Sequence, residues 1–313
     1  MSVETLWPKV EAYLQELAQL RQASEHTVSN YQRDLRQLVL YLEQESNVDQ
    51  WTALNRQHLR HYLVYRHQKG MAPRSLQRQL SCIRAFLFFL QQQNIITDNT
   101  ADGLKAPKSG QLLPKPVDID QLHHALDHVA DKQDDVAVRD KAMLELLYAT
   151  GIRLAELVSL NLDQVDFSQR QVRVLGKGNK ERLVPFGAKA EDALRAWLRL
   201  RPSWLQQTDG CASSENTALF LGVRGKRINR GTVQQRLAEI GVEQGIQDRL
   251  HPHRLRHSFA SHLLESSGDL RAVQELMGHA DISSTQIYTR LDYQHLAQVY
   301  DKAHPRAKRK QQG

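Results

Sequence analysis

The stretch PKSGQLLPKP at residues 107–116 decides how this chain is organised. Its three prolines and one glycine disfavour both helix and strand interiors, because proline lacks a backbone donor and glycine favours irregular backbone. Apolar residues recur at helical spacing before it, whereas helices and one candidate hairpin follow it. We therefore predict a helical domain at 1–106, a linker at 107–116, a larger domain at 117–300 and a basic tail at 301–313.

The first domain is predicted to contain four helices. One apolar stripe runs from Val3 to Leu17 and a second from Val28 to Leu42, both at helical spacing. A third helix ends at Gly70, and Pro73 opens a fourth, since proline is well tolerated in the first helical turn. This domain is therefore all helical.

The second domain is predicted to be helical around one hairpin at 171–186, QVRVLGKGNKERLVPF. Val172 and Val174 alternate with polar residues, and GKGNK supplies turn chemistry. Helices are expected near 118–130, 137–149, 154–160, 188–200, 230–243, 253–265 and 269–277. Residues 203–216 are predicted to be a loop without an assigned role. The fold class is thus mainly α with a small β-hairpin or sheet (α+β).

Composition narrows the class of protein. The net charge is +7, with 42 basic residues dispersed among 35 acidic ones, a balance that fits nucleic-acid binding but is weak alone. Cys82 and Cys211 are far apart in the sequence and lack metal-ligand spacing, which favours a reducing cytoplasm without disulfides. The densest apolar run, 85–90, is too short to span a bilayer. We predict a cytoplasmic protein without membrane insertion.

Two arginines of the first domain are candidate DNA contacts. Arg74 and Arg78 lie one turn apart at the start of the fourth helix, away from its apolar stripe. Such side chains suit contacts with phosphates or a DNA groove.

The block HPHRLRHSFASH at 251–262 raises the question of a metal site. His253 and His257 are four residues apart, as in zinc protease helices, but Arg254 and Arg256 stand between them and oppose a divalent cation. His253 and Arg256 are three apart and project in similar directions, which suits one phosphate. The alternative is an ordinary solvated helix face.

Other residues carry matching chemistry elsewhere in the chain. Arg153 begins an apolar helix whose backbone amides also favour an anion, and Glu156, one turn later, could orient its guanidinium. Lys177 stands in the hairpin turn, where lysine is also common without function. His279 follows a glycine, and Tyr288 lies nine residues further on; a tyrosine there is ordinarily a core or interface residue.

Taken together, ATGIRLAEL, GKGNKER, HPHRLRHSFA and LMGHADISSTQIYT resemble the active-site boxes of the tyrosine recombinases in residue type, order and separation. The resemblance covers nearly the whole chain. The segments SSGDLRAVQELMGHADISSTQIYT and LDYQHLAQVYDKAHPRAK are more narrowly similar to bacterial chromosome-dimer resolvases. The catalytic residues that this resemblance implies are Arg153, Lys177, His253, Arg256, His279 and the nucleophile Tyr288.

The resemblance implies a two-domain, C-shaped DNA clamp that cleaves and rejoins DNA without metal or cofactor. The helical domain at 1–106 would bind DNA and the domain at 117–300 would carry catalysis. It also implies a dif-type double-stranded DNA site, a tetramer with a second recombinase, and a septal DNA translocase as activator.

The tetramer implied by the resemblance docks a C-terminal segment on a neighbour. The amphipathic stretch 291–300 offers a surface for this, with Leu291, Leu296 and Val299 beside Tyr293 and Tyr300. Packing within the same subunit is the alternative that its periodicity leaves open.

Two other functions stay open at this point. A type IB topoisomerase uses the same chemistry to relax supercoils rather than to exchange strands. A non-catalytic DNA-binding regulator on the same fold is the second alternative, but it gives no reason for a full set of phosphate-directed residues.

Overall fold

A computed structural model describes residues 3–19, 25–107, 116–129, 134–176, 181–206, 217–246, 248–278 and 290–307. The chain separates into two compact units, Met1–Leu112 and Leu113–Gly313, each built around its own apolar core. The described residues are mostly helical with one small sheet, which confirms the predicted α+β class. Among them, every helix is too short or too polar to cross a lipid bilayer.

In its described residues, the first unit has helices as its only regular secondary structure. Its four α-helices are α1 Val3–Gln19, α2 Glu25–Glu45, α3 Arg56–Gln68 and α4 Pro73–Gln92. Aromatic side chains join them: the Phe86 ring of α4 lies 5.5 Å from that of Tyr13 and 4.8 Å from that of Trp51. Cys82 is buried in this core, and its burial raises the pKa of its thiol. That fits the inert role expected of a structural cysteine.

The second unit contains eight α-helices in its described residues. They are α5 Ile119–His128, α6 Asp135–Thr150, α7 Leu154–Ser159, α8 Ala188–Gln206, α9 Arg230–Glu243, α10 Pro252–Ser267, α11 Leu270–Met277 and α12 Arg290–Ala303. Helix α6 lies in the middle of the unit and packs on several of the others, including α8 and α10. Side-chain caps at Asp134, Asn229 and Asp269 begin α6, α9 and α11, as their sequences favour.

Helix α8 is longer than the sequence indicated. It was expected to end near residue 200, before a loop at 203–216, but it continues through Pro202 to Gln206. Trp204 provides the reason: its buried ring packs edge-on against Trp197 at 5.1 Å and lies 5.2 Å from the Arg139 guanidinium. Packing therefore outweighs the helix-breaking tendency of proline. Residues 207–216 lie outside the described residues.

The sheet confirms the predicted hairpin and adds a short third strand. Strands β1 Val165–Asp166, β2 Gln171–Leu175 and β3 Glu181–Pro185 pair antiparallel in the order β1-β2-β3. Val172 pairs with Val184, and Val174 pairs with Arg182. Strand β1 is only two residues long, too short to leave a periodic signal.

The C-terminal residues correct the predicted basic tail. Residues 301–303 end α12, and His304, Arg306 and Ala307 are buried against the second unit rather than standing apart. The His304 ring stacks on Tyr300 at 4.8 Å, and its burial lowers the pKa of this imidazole to about 3. Arg306 binds the carboxylates of Glu145 and Asp127. The docked residues extend through Ala307, so a tail that begins at residue 301 begins at least seven residues too early.

Helix α12 decides the alternative left open for 291–300 at three of the five positions, since the side chains of Leu291 and Tyr293 lie outside those that the structure describes. Leu296 and Tyr300 are buried in the core of their own subunit, and Val299 packs against that core. These three side chains therefore follow the same-subunit alternative.

Gly187 is needed because the C-terminal segment passes directly over it. An added Cβ would lie 2.3 Å from the Arg306 carbonyl oxygen and 2.6 Å from the Ala307 Cα, both backbone atoms. We expect Gly187→Ala to lower the free energy of unfolding by about 1–3 kcal/mol, measured by urea denaturation. Gly222→Ala is the matched control, since its nearest neighbour would lie at 3.7 Å. Equal stability of the two variants would contradict the prediction.

Candidate active site

The structure describes half of the residues predicted to be catalytic. Arg153, His253 and Arg256 all lie in the second unit. Lys177, His279 and Tyr288 lie outside the described residues.

Arg153 lies at the N-cap of α7, just after the glycine that ends α6. Its backbone amide donates to Glu156 Oε2 at 2.8 Å, and its Nη1 donates to Glu156 Oε1 at 3.0 Å. The predicted orienting role of Glu156 thus has a geometric basis. The anion at this helix start is the Glu156 carboxylate of the chain itself, which occupies the Arg153 amide. The Arg153 side chain remains 43 % exposed.

Arg256 lies on α10 and reaches the same place from another side. Its Nη1 donates to the carbonyl of Gly151, two residues before Arg153, and its Nη2 donates to the carbonyl of Met277. Arg153 Nη2 donates to the next carbonyl, that of Gly278, at 3.2 Å. The two arginines therefore meet at the C-terminal end of α11, directly before His279 in the sequence.

Arg182 is a third arginine here, in addition to the two that the sequence motifs indicated. Its guanidinium binds both carboxylate oxygens of Glu156, at 2.9 and 2.8 Å, and its Nε donates to the Leu276 carbonyl at 3.3 Å. The hairpin alternation did contain a signal, because it places residue 182 on the same face of β3 as Val184. An inward-facing arginine needs a buried partner.

The arrangement has an excess of positive charge. Three guanidinium groups surround one described carboxylate, that of Glu156. The pKa of Arg256 falls to about 10, first because the side chain is buried and then because Arg153 and Arg182 repel its charge. The guanidinium stays ionised at neutral pH. An oxyanion bound beside these groups would relieve their repulsion.

The histidine block is arranged differently from a zinc helix. His251 caps α10, accepting from the Arg254 amide at 3.2 Å, and His253 is exposed on its first turn. Arg254 turns away to Asp248 at 3.1 Å, so only Arg256 of the two arginines faces Gly151 and Met277. In the described part of the chain, no cluster of three or more His, Cys, Asp or Glu has metal-binding geometry.

Gly151 supports this arrangement through its backbone. It ends α6 at φ 58°, in the left-handed region, and an added Cβ would lie 2.3 Å from the Phe259 ring. We expect Gly151→Ala to lower the free energy of unfolding by roughly 2–5 kcal/mol, from left-handed strain plus overpacking. Gly245→Ala is the control: it shares a φ of +68° but meets nothing within 4 Å. Guanidinium denaturation of both variants measures the difference, and equal losses would contradict the ring contact.

The two candidate DNA contacts of the first unit differ in their surroundings. Arg74 is exposed on the first turn of α4. Arg78 binds both carboxylate oxygens of the buried Asp34 on α2, although 46 % of the Arg78 side chain is exposed. Asp34 therefore fixes the direction of Arg78.

Comparison with known proteins identifies the class. The model of the phage integrase family matches residues 115–295, and that of the phage integrase N-terminal SAM-like domain matches residues 10–94. The chain belongs to the phage integrase family and is a tyrosine recombinase, an enzyme that acts on DNA.

Within the family, the chain resembles bacterial XerC. It is 48 % identical to tyrosine recombinase XerC of Alcanivorax borkumensis over 96 % of this chain and 95 % of the relative. It is 50 % identical to XerC of Pseudomonas syringae pv. syringae, with coverage of 96 % and 97 %. The fold matches XerH site-specific recombinase bound to palindromic difH substrate, with a TM-score of 0.68 and 22 % identity over 90 % of this chain and 81 % of that one.

Proposed function

We propose that this recombinase cuts and rejoins DNA through a covalent 3′-phosphotyrosyl link to Tyr288. The observation that carries the proposal is the convergence of Arg153 and Arg256 on the carbonyls that immediately precede His279. Tyr288 follows that histidine by nine residues. The two guanidinium groups supply planar donors for one phosphate.

The proposed step breaks one bond and makes one. The Tyr288 oxygen attacks the phosphorus, and the bond to the 5′-oxygen of the DNA breaks. Arg153 and Arg256 stabilise the extra negative charge of the pentacoordinate transition state. A 5′-hydroxyl of a second duplex reverses the step and reseals the strand, because the covalent link conserves the phosphodiester energy.

The proton transfers fall to the other three residues. His253 and His279 bind non-bridging oxygens or accept the phenolic proton, whose reference pKa of about 10 makes it rarely ionised at neutral pH. Lys177 gives a proton to the departing 5′-oxygen. The guanidinium groups provide the charge that a metal would otherwise supply, so we propose a reaction without metal or cofactor.

We propose that the substrate is a dif-type site and that the biological outcome is resolution of chromosome dimers in the cytoplasm. Support comes from the XerC relatives and from the fold shared with XerH, which was solved on difH DNA. From the resemblance of the sequence motifs to bacterial chromosome-dimer resolvases, we also propose a tetramer with a XerD-like recombinase and activation by a septal DNA translocase.

We also propose roles for the domains. The helical part at 1–106 would grip DNA, with Arg74 and Arg78 among its contacts, and the linker at 107–116 would join it to the catalytic part. The match of residues 10–94 to the family's N-terminal domain supports this division. Within the contact surface, Asp34 would hold Arg78 in a fixed direction toward the DNA.

The test is a nicked suicide duplex that carries a dif-type site, from which the cleaved fragment diffuses away. We expect a covalent complex that survives denaturing electrophoresis, with the DNA attached to the peptide containing Tyr288, in the presence of EDTA as in its absence. A wild-type protein that forms no complex overturns the proposal. Activity lost to EDTA and restored by zinc would overturn its metal-free part. Strand exchange between two duplexes, rather than relaxation of supercoils, separates it from a topoisomerase.

A further inference from the structure

Arg182 lies at an inward-facing position of strand β3. All three nitrogens of its guanidinium donate to other residues of the candidate active site. Only 7 % of its side chain is exposed. Both of its terminal nitrogens bind Glu156, and its Nε binds the Leu276 carbonyl. It is therefore occupied by protein and is too buried to be a phosphate ligand itself.

Glu156 connects Arg182 to Arg153. Each of its carboxylate oxygens accepts one bond from Arg182 and one from Arg153. Arg153 is long and 43 % exposed, so its placement depends on the carboxylate that it binds. Because Arg182 fixes the orientation of that carboxylate from the buried side, a change at Arg182 reaches Arg153 through a single residue.

Arg182 also holds the end of α11. Arg182, Arg256 and Arg153 donate to three successive carbonyls, those of Leu276, Met277 and Gly278. The last carbonyls of a helix have no partner within the helix, and basic side chains are favoured there. The chain leading to His279 is therefore attached to the same three arginines.

We propose that Arg182 is a positioning residue of the recombinase, which aligns Arg153 and the chain before His279 without touching DNA. This inference rests on the proposed function, because it assumes that Arg153 and His279 act on the phosphate. Small displacements of catalytic groups are costly, on the order of 100-fold in rate for about 1 Å.

The ionisation of Glu156 gives a second readout. Burial alone would raise the pKa of Glu156, but the bonds and charge of Arg182, followed by the bonds of Arg153, hold it below its usual value. The charged groups around this carboxylate are Arg182 on β3, Arg153 at α7 and Arg256 on α10. The ionised form is present above the folded pKa and is lost as pH falls through it. Without Arg182 this loss begins at a higher pH.

The experiment measures single-turnover formation of the covalent complex by the full chain on the suicide duplex at saturating protein, with melting temperature and DNA affinity recorded alongside. We expect Arg182→Met to slow cleavage about 10- to 100-fold with little change in DNA affinity. We also expect the fall of the cleavage rate at acidic pH to begin at a higher pH than in the wild type. Arg182→Lys restores the positive charge but not the bidentate hydrogen bond to Glu156. Its pH dependence of cleavage should therefore return toward that of the wild type, while its cleavage rate recovers only in part.

Two controls separate positioning from folding. Arg139→Met removes another buried, ion-paired arginine of the same unit, 1 % exposed and bound to Asp140, away from the three carbonyls. It is expected to lower the melting temperature without slowing cleavage by the folded protein. In a Glu156→Gln background, Arg182→Met should slow cleavage much less than it does in the wild type, because the effects of substitutions at residues that act through one another are not additive.

The outcomes distinguish the two hypotheses. If the wild type forms no covalent complex, the proposed function fails and this inference fails with it. If the wild type cleaves normally but Arg182→Met cleaves at the same rate, only the role of Arg182 is overturned. The role of Arg182 is also overturned if Arg182→Met slows cleavage no more than Arg139→Met does. It is overturned as well if Arg182→Met slows cleavage by the same factor in the Glu156→Gln background as in the wild type.

Discussion

Replacing Tyr288 with phenylalanine is expected to abolish the covalent DNA complex, with a loss of at least about 10⁴-fold in single-turnover cleavage. Phenylalanine lacks only the phenolic oxygen, which is the atom that we propose bonds to phosphorus. The groups that bind the phosphate stay in place, so affinity for a dif-type duplex should change little. Gel-shift titration measures that affinity, and denaturing electrophoresis of the suicide complex measures cleavage.

The nearest other tyrosine in the sequence, Tyr293, provides the control. Tyr293→Phe should keep forming the covalent complex. A complex that persists in Tyr288→Phe, or that disappears only in Tyr293→Phe, would place the nucleophile elsewhere.

Arg256→Met is expected to slow cleavage about 10³-fold, because removal of a preorganised cation from a phosphoryl-transfer site costs this much or more. Arg256→Lys tests the geometry separately from the charge. The two terminal nitrogens of Arg256 reach two carbonyls, those of Gly151 and Met277, and a lysine ammonium cannot reproduce that fork. We expect a loss of about 10²-fold for lysine.

Arg254→Met is the matched control on the same helix. Arg254 is buried but directed to Asp248, so its loss should affect stability and leave the single-turnover rate of the folded protein unchanged. If Arg256→Lys cleaves at the wild-type rate, charge alone is sufficient, and the expectation that cleavage needs both terminal nitrogens of Arg256 is contradicted.

Local sequence signals predicted most of the elements, and the resemblance of the motifs to a family indicated two of the arginines. Helix α9 is observed at the predicted 230–243, and the hairpin has the predicted strands. Arg153 and Arg256 lie on different helices, and the order of the motifs shared with the tyrosine recombinases indicated that they act together. The predictions for Lys177, His279 and Tyr288 stay predictions.

The features that the sequence did not reveal depend on contacts between distant residues. Arg182 is 26 residues from Glu156, and Arg306 is 161 residues from Glu145. Strand alternation predicted that the Arg182 side chain faces inward, but it did not indicate which residue binds it. Likewise, the composition of 301–313 resembled a solvated tail because charge counts do not show which cation meets a buried carboxylate. Helix α8 passed Pro202 for the same reason, through tertiary contacts of Trp204.

The docked C-terminal segment has a practical consequence for anyone who wishes to express the second unit separately. A fragment cut at residue 300 would leave the buried Glu145 without its cation and would uncover the Phe259 and Tyr148 rings, which lie 5.6 and 5.0 Å from the His304 ring. Such a fragment is expected to aggregate during purification, since it exposes apolar surface. Fragments should extend at least through Ala307, with any affinity tag placed beyond that residue.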